Sequence, residues 1–118
     1  MIEILHSRDP STIALVFSGK ATEQDAEVLD GYVKVSFKED EKFNILAIMK
    51  DVDGSTFKGM IDGVTFDMKR WSQFNKFAVI SEKDWIGFMT MLGNYLPGIK
   101  AKYFEEHQLE EAWDWIVE

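Results

Sequence analysis

Short apolar runs of strand length alternate with helix-like apolar spacing along almost the whole chain. Five runs have the composition of β-strands: residues 2–6, 12–18, 43–49, 76–80 and 99–104. Four other segments repeat apolar side chains every three or four residues, and these stripes begin at Ala26, Phe57, Trp85 and Leu109. The predicted order is β-β-α-β-α-β-α-β-α. Because helices separate most of the strands, we expect an α/β fold with a mostly parallel sheet and right-handed crossovers.

Three local patterns refine this expectation. The turn sequence Asp9-Pro10 lies between the first two runs and predicts an antiparallel hairpin at one edge of the sheet. Run 43–49 is almost continuously apolar, which is typical of a strand covered on both faces. Run 99–104 instead alternates apolar residues with Lys100 and Lys102, as an exposed or edge strand does.

Composition limits the classes of protein that this chain can belong to. Its 118 residues, 46% of them apolar, suit one domain that spans residues 1–118. The absence of cysteine excludes disulfides, a thiol nucleophile and thiolate metal sites. A net charge of −8 is poorly suited to binding nucleic acid. Because no apolar run approaches the roughly 20 residues that cross a bilayer, we expect a soluble, cytoplasmic protein without a transmembrane segment.

The C-terminal half carries the clearest resemblance to a known family. There Phe-Ala-Val-Ile at 77–80 leads into Asp84-Trp85, and an alternating strand ends at Tyr103-Phe104. The closing Glu-Ala-Trp-Asp-Trp-Ile at 111–116 and the helix entry at 19–29 add to it. On these residues the chain resembles the SpoIIAA-like family, a branch of the STAS superfamily. The resemblance implies a five-stranded mixed sheet flanked by four helices, and it brings no established reaction.

The segment after the third strand is the first candidate site. In related anti-sigma factor antagonists, a phosphorylatable serine stands here in an Asp-Ser-Ser/Thr-Gly type of loop. Residues 51–56 of this chain read Asp-Val-Asp-Gly-Ser-Thr, so Gly54 precedes the hydroxyls instead of following them. The resemblance makes Ser55 a possible phosphorylation site, since a helix N-terminus favours a phosphate. The alternative is that Ser55 or Thr56 is simply an N-cap.

The same residues also resemble the Asp-x-Asp-Gly-Thr motif of haloacid-dehalogenase-type phosphatases. In that chemistry Asp51 attacks phosphorus, Asp53 acts as acid and base, and Mg²⁺ offsets the charge. The later carboxylate pair that holds Mg²⁺ has no convincing match, and Glu82 and Asp84 are the nearest candidates. A turn built on Asp and Gly is therefore the favoured interpretation. We expect no metal, because His6 and His107 also lack metal-ligand spacing.

Residues 54–66 combine three glycines with large apolar side chains. Glycine lowers helix stability while the apolar groups need cover, so this segment is suited to opening as a lid or to docking on a partner. A loosely packed surface helix is the alternative. The residues expected to contact a protein partner or a small apolar ligand are Asp51, Asp53, Ser55, Thr56, Phe57, Met60, Ile61 and Phe66. Ser81 and Glu82 would line the same crevice at the strands' C-terminal ends.

The sequence thus predicts a non-enzymatic binding or regulatory module without a cofactor, and we expect a homodimer. Two aromatic residues, Phe66 and Trp115, fall off the apolar stripes of their helices. Such exposed aromatics mark partner contacts more often than isolated exposed leucines do.

Overall fold

One mixed five-stranded sheet forms the centre of the protein. The computed structural model describes residues 2–19, 23–38, 40–50, 73–81 and 100–118. The strands, which lie in the sheet in their chain order, are β1 (Ile2–Leu5), β2 (Thr12–Ser18), β3 (Phe43–Lys50), β4 (Phe74–Ser81) and β5 (Lys100–Phe104). β1 pairs antiparallel with β2, whereas every later pair is parallel. The predicted α/β fold with an antiparallel hairpin at one edge is confirmed.

Local hydrogen bonds explain why the hairpin turns where it does. The Ser7 hydroxyl donates to the Asp9 carbonyl at 2.7 Å, and the Asp9 N–H donates back to Ser7 Oγ at 3.1 Å. The Thr12 N–H and hydroxyl donate to the carbonyl and the carboxylate of Asp9, at 3.1 and 2.6 Å. Asp9 therefore closes the turn, and Leu5 pairs with Ala14 in the antiparallel register that follows.

The inner and outer strands have the burial that their patterns predict. In β3 every residue from Phe43 to Met49 is buried except the half-buried Ile48. In β5, by contrast, Lys100 and Lys102 are exposed. β4 begins at Phe74, two residues before the predicted run, because Phe74 pairs with Phe43. Their rings lie 5.4 Å apart, a stabilising contact that the flanking polar residues conceal in the sequence.

Among the described residues, two α-helices cover opposite faces of the sheet. Helix α1 (Glu23–Ser36) packs on the face of the sheet that contains Leu15 and Val79. Its contact residues there are Leu29 and Val33, and Phe37 directly after the helix packs on the same face. Helix α2 (Leu109–Val117) packs on the opposite face. Its contact residues there are Leu109, Ala112, Trp113 and Ile116. The first and last predicted helical stripes are therefore confirmed for the side chains that the structure describes.

Two of the expected helices and one expected helix cap fall on residues that the structure does not describe. The stripes that begin at Phe57 and Trp85 lie outside the described residues, as does the capping residue Thr22, so two of the four expected α-helices are seen. A short 3₁₀ helix, Glu106–Gln108, leads into α2. Neither α1 nor α2 is long and apolar enough to cross a membrane.

Trp115 differs from its expected exposure. Its side chain is half-buried and packs against the cluster under α2, with its ring 5.9 Å from that of Phe104. The Lys76 ammonium lies 5.3 Å from the centre of the same ring. The expectation of an exposed aromatic at this position is therefore wrong. The Trp115 side chain is partly covered because it contacts Phe104 of the edge strand β5 and Lys76 of β4.

Candidate functional site

The sequence-predicted site begins directly after β3. The predicted contact residues Asp51, Asp53, Ser55, Thr56, Phe57, Met60, Ile61 and Phe66 lie outside the described residues, and so does Glu82. The structure does describe the strand ends from which these segments leave. β3 ends at Lys50, which is exposed, and Lys50 lies opposite Ser18 at the end of β2. The start of the predicted site is therefore next to an exposed lysine at the carboxyl edge of the parallel strands.

Ser81, at the end of β4, differs from its predicted role. Its side chain was expected to line the crevice, but the residue is only 4% exposed. Its carbonyl accepts a hydrogen bond from the Tyr103 hydroxyl at 3.1 Å, which fastens the end of β4 to β5. Within the described part of the chain, Ser81 is therefore a residue of the sheet interior.

Strand order bears on the crevice that was expected at this edge. In doubly wound sheets a ligand crevice opens where the strand order reverses, because the flanking connections then run to opposite faces. Here β2, β3, β4 and β5 follow one another without a reversal. Among the described strands the order supplies no such switch point, and the crevice expected at their carboxyl ends stays a prediction.

The opposite, amino edge of the parallel strands carries a buried series of hydrogen bonds between polar residues, which the sequence patterns did not predict. Thr12 donates to Asp9 as described above, and the Asn44 amide donates to Thr12 Oγ1 at 3.3 Å. The Asn44 side-chain oxygen in turn accepts the backbone N–H of Lys76 at 3.2 Å. Thr12, Asn44 and Lys76 are at most 9% exposed. These bonds connect the hairpin turn to β3 and β4 through the interior.

An irregular register explains why Asn44 is needed there. Phe43 pairs with Phe74 but Ile45 pairs with Phe77, so β4 has one more residue than β3 between the two pairs. Such an extra residue leaves ladder groups without their regular partners. Asn44 supplies the acceptor for one of them, the Lys76 N–H, whose burial without a partner would be costly. The signal in the sequence is a single amide within an otherwise apolar run.

Lys76 links the sheet to the end of α2. Its Nζ donates to the backbone oxygens of Trp115 and Glu118, at 2.9 and 3.0 Å. A cation at this position stabilises a helix, because the last carbonyls are free and the helix dipole is negative there. The Lys76 ammonium therefore acts as a C-terminal cap that comes from the sheet.

Gln73 makes a similar link next to Phe74. This side chain is 2% exposed, and its Nε2 donates to the carbonyls of Lys38 and Glu41 at 2.6 and 2.8 Å. It thereby fastens the loop after α1 to the start of β4. Together with Thr12, Asn44 and Lys76 it shows that the buried polar groups at this edge are used to hold the scaffold together.

A groove of about 320 Å³ lies at this amino edge, between the hairpin turn and α1. Its lining residues are Ser7, Arg8, Asp9, Pro10, Thr12, Tyr32, Ser36 and Phe37. Ser7, Asp9 and Thr12 already bond with one another, and Arg8 bonds to α2. The groove is therefore open but has few polar groups left for a ligand, and it lies at the end of the sheet opposite to Lys50, where β3 ends.

Arg8 fastens the hairpin turn to α2. Its Nη1 donates to Glu110 Oε2 at 2.7 Å, and its guanidinium lies 5.4 Å from the centre of the Trp113 ring. The hydrogen bond and the charge of Arg8 hold the pKa of Glu110 below its usual value. The same hydrogen bond raises the pKa of Arg8, so the pair is charged at neutral pH.

The pair gives a prediction about pH. A carboxyl group whose pKa is lower in the folded state stabilises the protein above its unfolded pKa, and this contribution disappears as the pH falls through the folded value. We expect Glu110→Gln to lower the melting temperature at pH 7 by on the order of 1–3 °C, since exposed ion pairs are weak. At pH 3 the difference from wild type should shrink. Thermal melts monitored by circular dichroism measure both.

A matched control for this prediction is Glu3→Gln. Glu3 is an exposed residue of β1. Its replacement should change the melting temperature less than Glu110→Gln does at pH 7. Equal changes from both variants would contradict a specific contribution of the Arg8–Glu110 pair.

The two histidines lie at the surface. His6 is exposed beside the hairpin turn, and His107 is exposed in the 3₁₀ helix, with Nδ1 3.5 Å from Glu105 Oε2. Within residues 2–19, 23–38, 40–50, 73–81 and 100–118, no three His, Asp or Glu side chains form a group that could hold a metal ion.

Comparison with known proteins identifies the family. The model of the family SpoIIAA-like matches residues 12–117. The crystal structure of an uncharacterized protein from the DUF3478 family, with a SpoIIAA-like fold and from Shewanella loihica PV-4, is similar with a TM-score of 0.69. The two sequences are 19% identical, and the similarity covers 98% of this chain and 92% of that one, which shows a shared fold. No curated protein matches. With the mixed sheet and helices α1 and α2 described above, the chain belongs to the SpoIIAA-like family.

Proposed function

We propose that this protein is a non-enzymatic, cytoplasmic binding module that holds a partner protein or a small apolar ligand near residues 51–66. The observation that carries the proposal is the end of β3. This strand is buried along nearly its whole length and then ends at the exposed Lys50. The segment that follows combines carboxylates, hydroxyls, glycines and large apolar side chains, a composition suited to docking.

The hydrogen bonding of the described sheet supports a binding role. Thr12, Asn44, Gln73 and Lys76 are buried, and each bonds to another strand, loop or helix of the same chain. Their hydrogen-bonding capacity therefore stabilises the sheet. A rigid sheet that presents a chemically mixed segment from a central strand is a common arrangement for recognition, because loops on a fixed frame carry binding residues at little cost to the core.

The ligand part of the proposal predicts stabilisation by a lipid-like molecule. A ligand that binds the folded state at ten times its Kd stabilises it by about 1.4 kcal/mol, which is roughly 5 °C for a chain of this size. Thermal melts with a panel of fatty acids, and native mass spectrometry of protein purified from cells, provide the measurements. We expect a shift with at least one fatty acid or a co-purified small molecule.

The control compares the ligand-induced shift in melting temperature between variants in which apolar residues are replaced by serine. Phe57→Ser with Met60→Ser should abolish the shift, whereas Val117→Ser, at an exposed valine of α2, should keep it. If no fatty acid shifts the melting temperature and no small molecule co-purifies, the ligand proposal fails.

The alternatives from the sequence predict other outcomes. Phosphorylation at Ser55 predicts that Ser55→Asp changes the binding of a protein partner. Phosphatase chemistry predicts Mg²⁺-dependent hydrolysis of a phosphate ester that Asp51→Asn abolishes. Hydrolysis that depends on both Asp51 and Mg²⁺ would replace the binding module with an enzyme.

A further inference from the structure

Helix α1 exposes an apolar face that its core contacts do not use. Val28 is 50% exposed, Tyr32 is 39% exposed and Val35 is 90% exposed. These residues occupy positions i, i+4 and i+7, so they form one stripe along the helix. Leu29 and Val33 point instead to the sheet. α1 therefore has two apolar stripes, one in the core and one on the surface, and surface helices ordinarily have only the first.

Gly31 lies within the exposed stripe. A Cβ built on this glycine would meet nothing within 4 Å, so no contact inside the subunit requires the missing side chain. Glycine weakens the interior of a helix, and alanine would fit this position without strain. Because Gly31 has no side chain, the backbone of another helix can approach closely at this position.

We infer that the exposed face of α1, formed by Val28, Gly31, Tyr32 and Val35, is a self-association surface on which α1 of a second copy packs antiparallel. A two-fold axis between Gly31 and Tyr32 sets Val28 of one copy opposite Val35 of the other, and the same contact recurs on the other side of the axis. An isologous interface requires this kind of self-complementary spacing. Gly31 lies at the centre, where the two helix backbones approach most closely.

The charges beside the stripe fit the antiparallel orientation. Glu27 and Lys34 are both exposed and lie on the same side of it, and Lys34 already pairs with Asp30 at 3.1 Å. Reversal of one helix places Glu27 of one copy about two residues along the axis from Lys34 of the other. A parallel two-fold pairing would instead place Glu27 of one copy and Lys34 of the other on opposite sides of the interface, where they could not pair. Because complementary charges set orientation, this pattern favours the antiparallel dimer.

The size of the surface sets the expected affinity. One helix face per subunit is at the lower end of specific interfaces, so we expect a dissociation constant on the order of 10–100 µM. The inference does not depend on the proposed function, since the α1 face and residues 51–66 have no residue in common. A monomer would overturn this inference and leave the ligand experiment unaffected.

Sedimentation velocity over a wide concentration range is the first test. Wild type should change from monomer to dimer, and Val35→Asp should raise the dissociation constant at least tenfold. Because Val35 is almost fully exposed, the variant should keep the fold, which circular dichroism checks. Val117→Asp is the matched control, since Val117 is an exposed valine of α2 at 57%, and it should dimerise like wild type. A monomer at all concentrations, or equal weakening by both variants, would overturn the inference.

Charge exchange and cross-linking test the orientation. Glu27→Lys and Lys34→Glu should each weaken the dimer at low salt, and the double variant should restore it. The chain has no cysteine, so a mixture of Val28→Cys and Val35→Cys proteins should form disulfide heterodimers faster than either forms homodimers. Faster homodimer formation by Val28→Cys alone would indicate a parallel pairing and would refute the proposed geometry.

Discussion

Replacing Asn44 with alanine is expected to lower the free energy of unfolding by about 3 kcal/mol, which is roughly 12 °C in melting temperature for a chain of this size. The Asn44 oxygen accepts the Lys76 N–H where the register of β3 and β4 is irregular. Alanine leaves this buried N–H without a partner and also removes the donor to Thr12. Chemical denaturation at neutral pH measures the change.

Asn75→Ala is the control for that prediction. Asn75 is in the same irregular part of β4, it is half-buried, and none of the side-chain hydrogen bonds described above involves it. We expect its replacement to cost less than about 1 kcal/mol. The double variant Thr12→Val/Asn44→Ala should lose less free energy of unfolding than the sum of the losses in the two single variants. The reason is that Thr12 and Asn44 belong to the same series of hydrogen bonds. A loss below about 1 kcal/mol in Asn44→Ala would refute the argument.

Replacing Lys76 with methionine is expected to destabilise the protein by about 2 kcal/mol. Methionine preserves most of the apolar stem but removes two charge-assisted hydrogen bonds to the backbone oxygens at the end of α2. It also removes the cation beside the Trp115 ring. Because the lost bonds are local to the helix end, amide exchange should accelerate most at residues 115–118.

Lys100→Met provides the matched comparison. Lys100 lies opposite Lys76 in the β4–β5 register, but its side chain is exposed. The same substitution there should change stability by less than about 0.5 kcal/mol and should leave exchange at the end of α2 unchanged. If both variants are equally stable, the cap that Lys76 provides contributes nothing measurable.

Local sequence patterns predict most of this sheet. Period-two alternation and apolar runs depend on near neighbours, so they identify the hairpin, the buried β3 and the exposed lysines of β5. The start of β4 is harder to predict. Phe74 is part of the strand because Phe43, distant in sequence, pairs with it, and polar residues on both sides hide that contact.

Long-range polar contacts could not be predicted in the same way. Asn44 and Lys76 are 32 residues apart, and Lys76 meets Trp115 across 39 residues. No local pattern encodes such partners, although an isolated polar residue in an apolar run does indicate that one exists. Ser81 differs in the other direction. Its place at the end of a strand suggested a residue that lines a crevice, but in the structure it is buried. The residues predicted at 51–66 stay a prediction.

The outer strands of the sheet have a consequence for aggregation. β1 has four residues and β5 has five, so each offers a short row of backbone groups to another molecule. Lys100 and Lys102 add positive charge along β5, and a strand added there in register from an identical chain would bring like charges together. Amyloid-like growth by edge addition at β5 is thereby disfavoured.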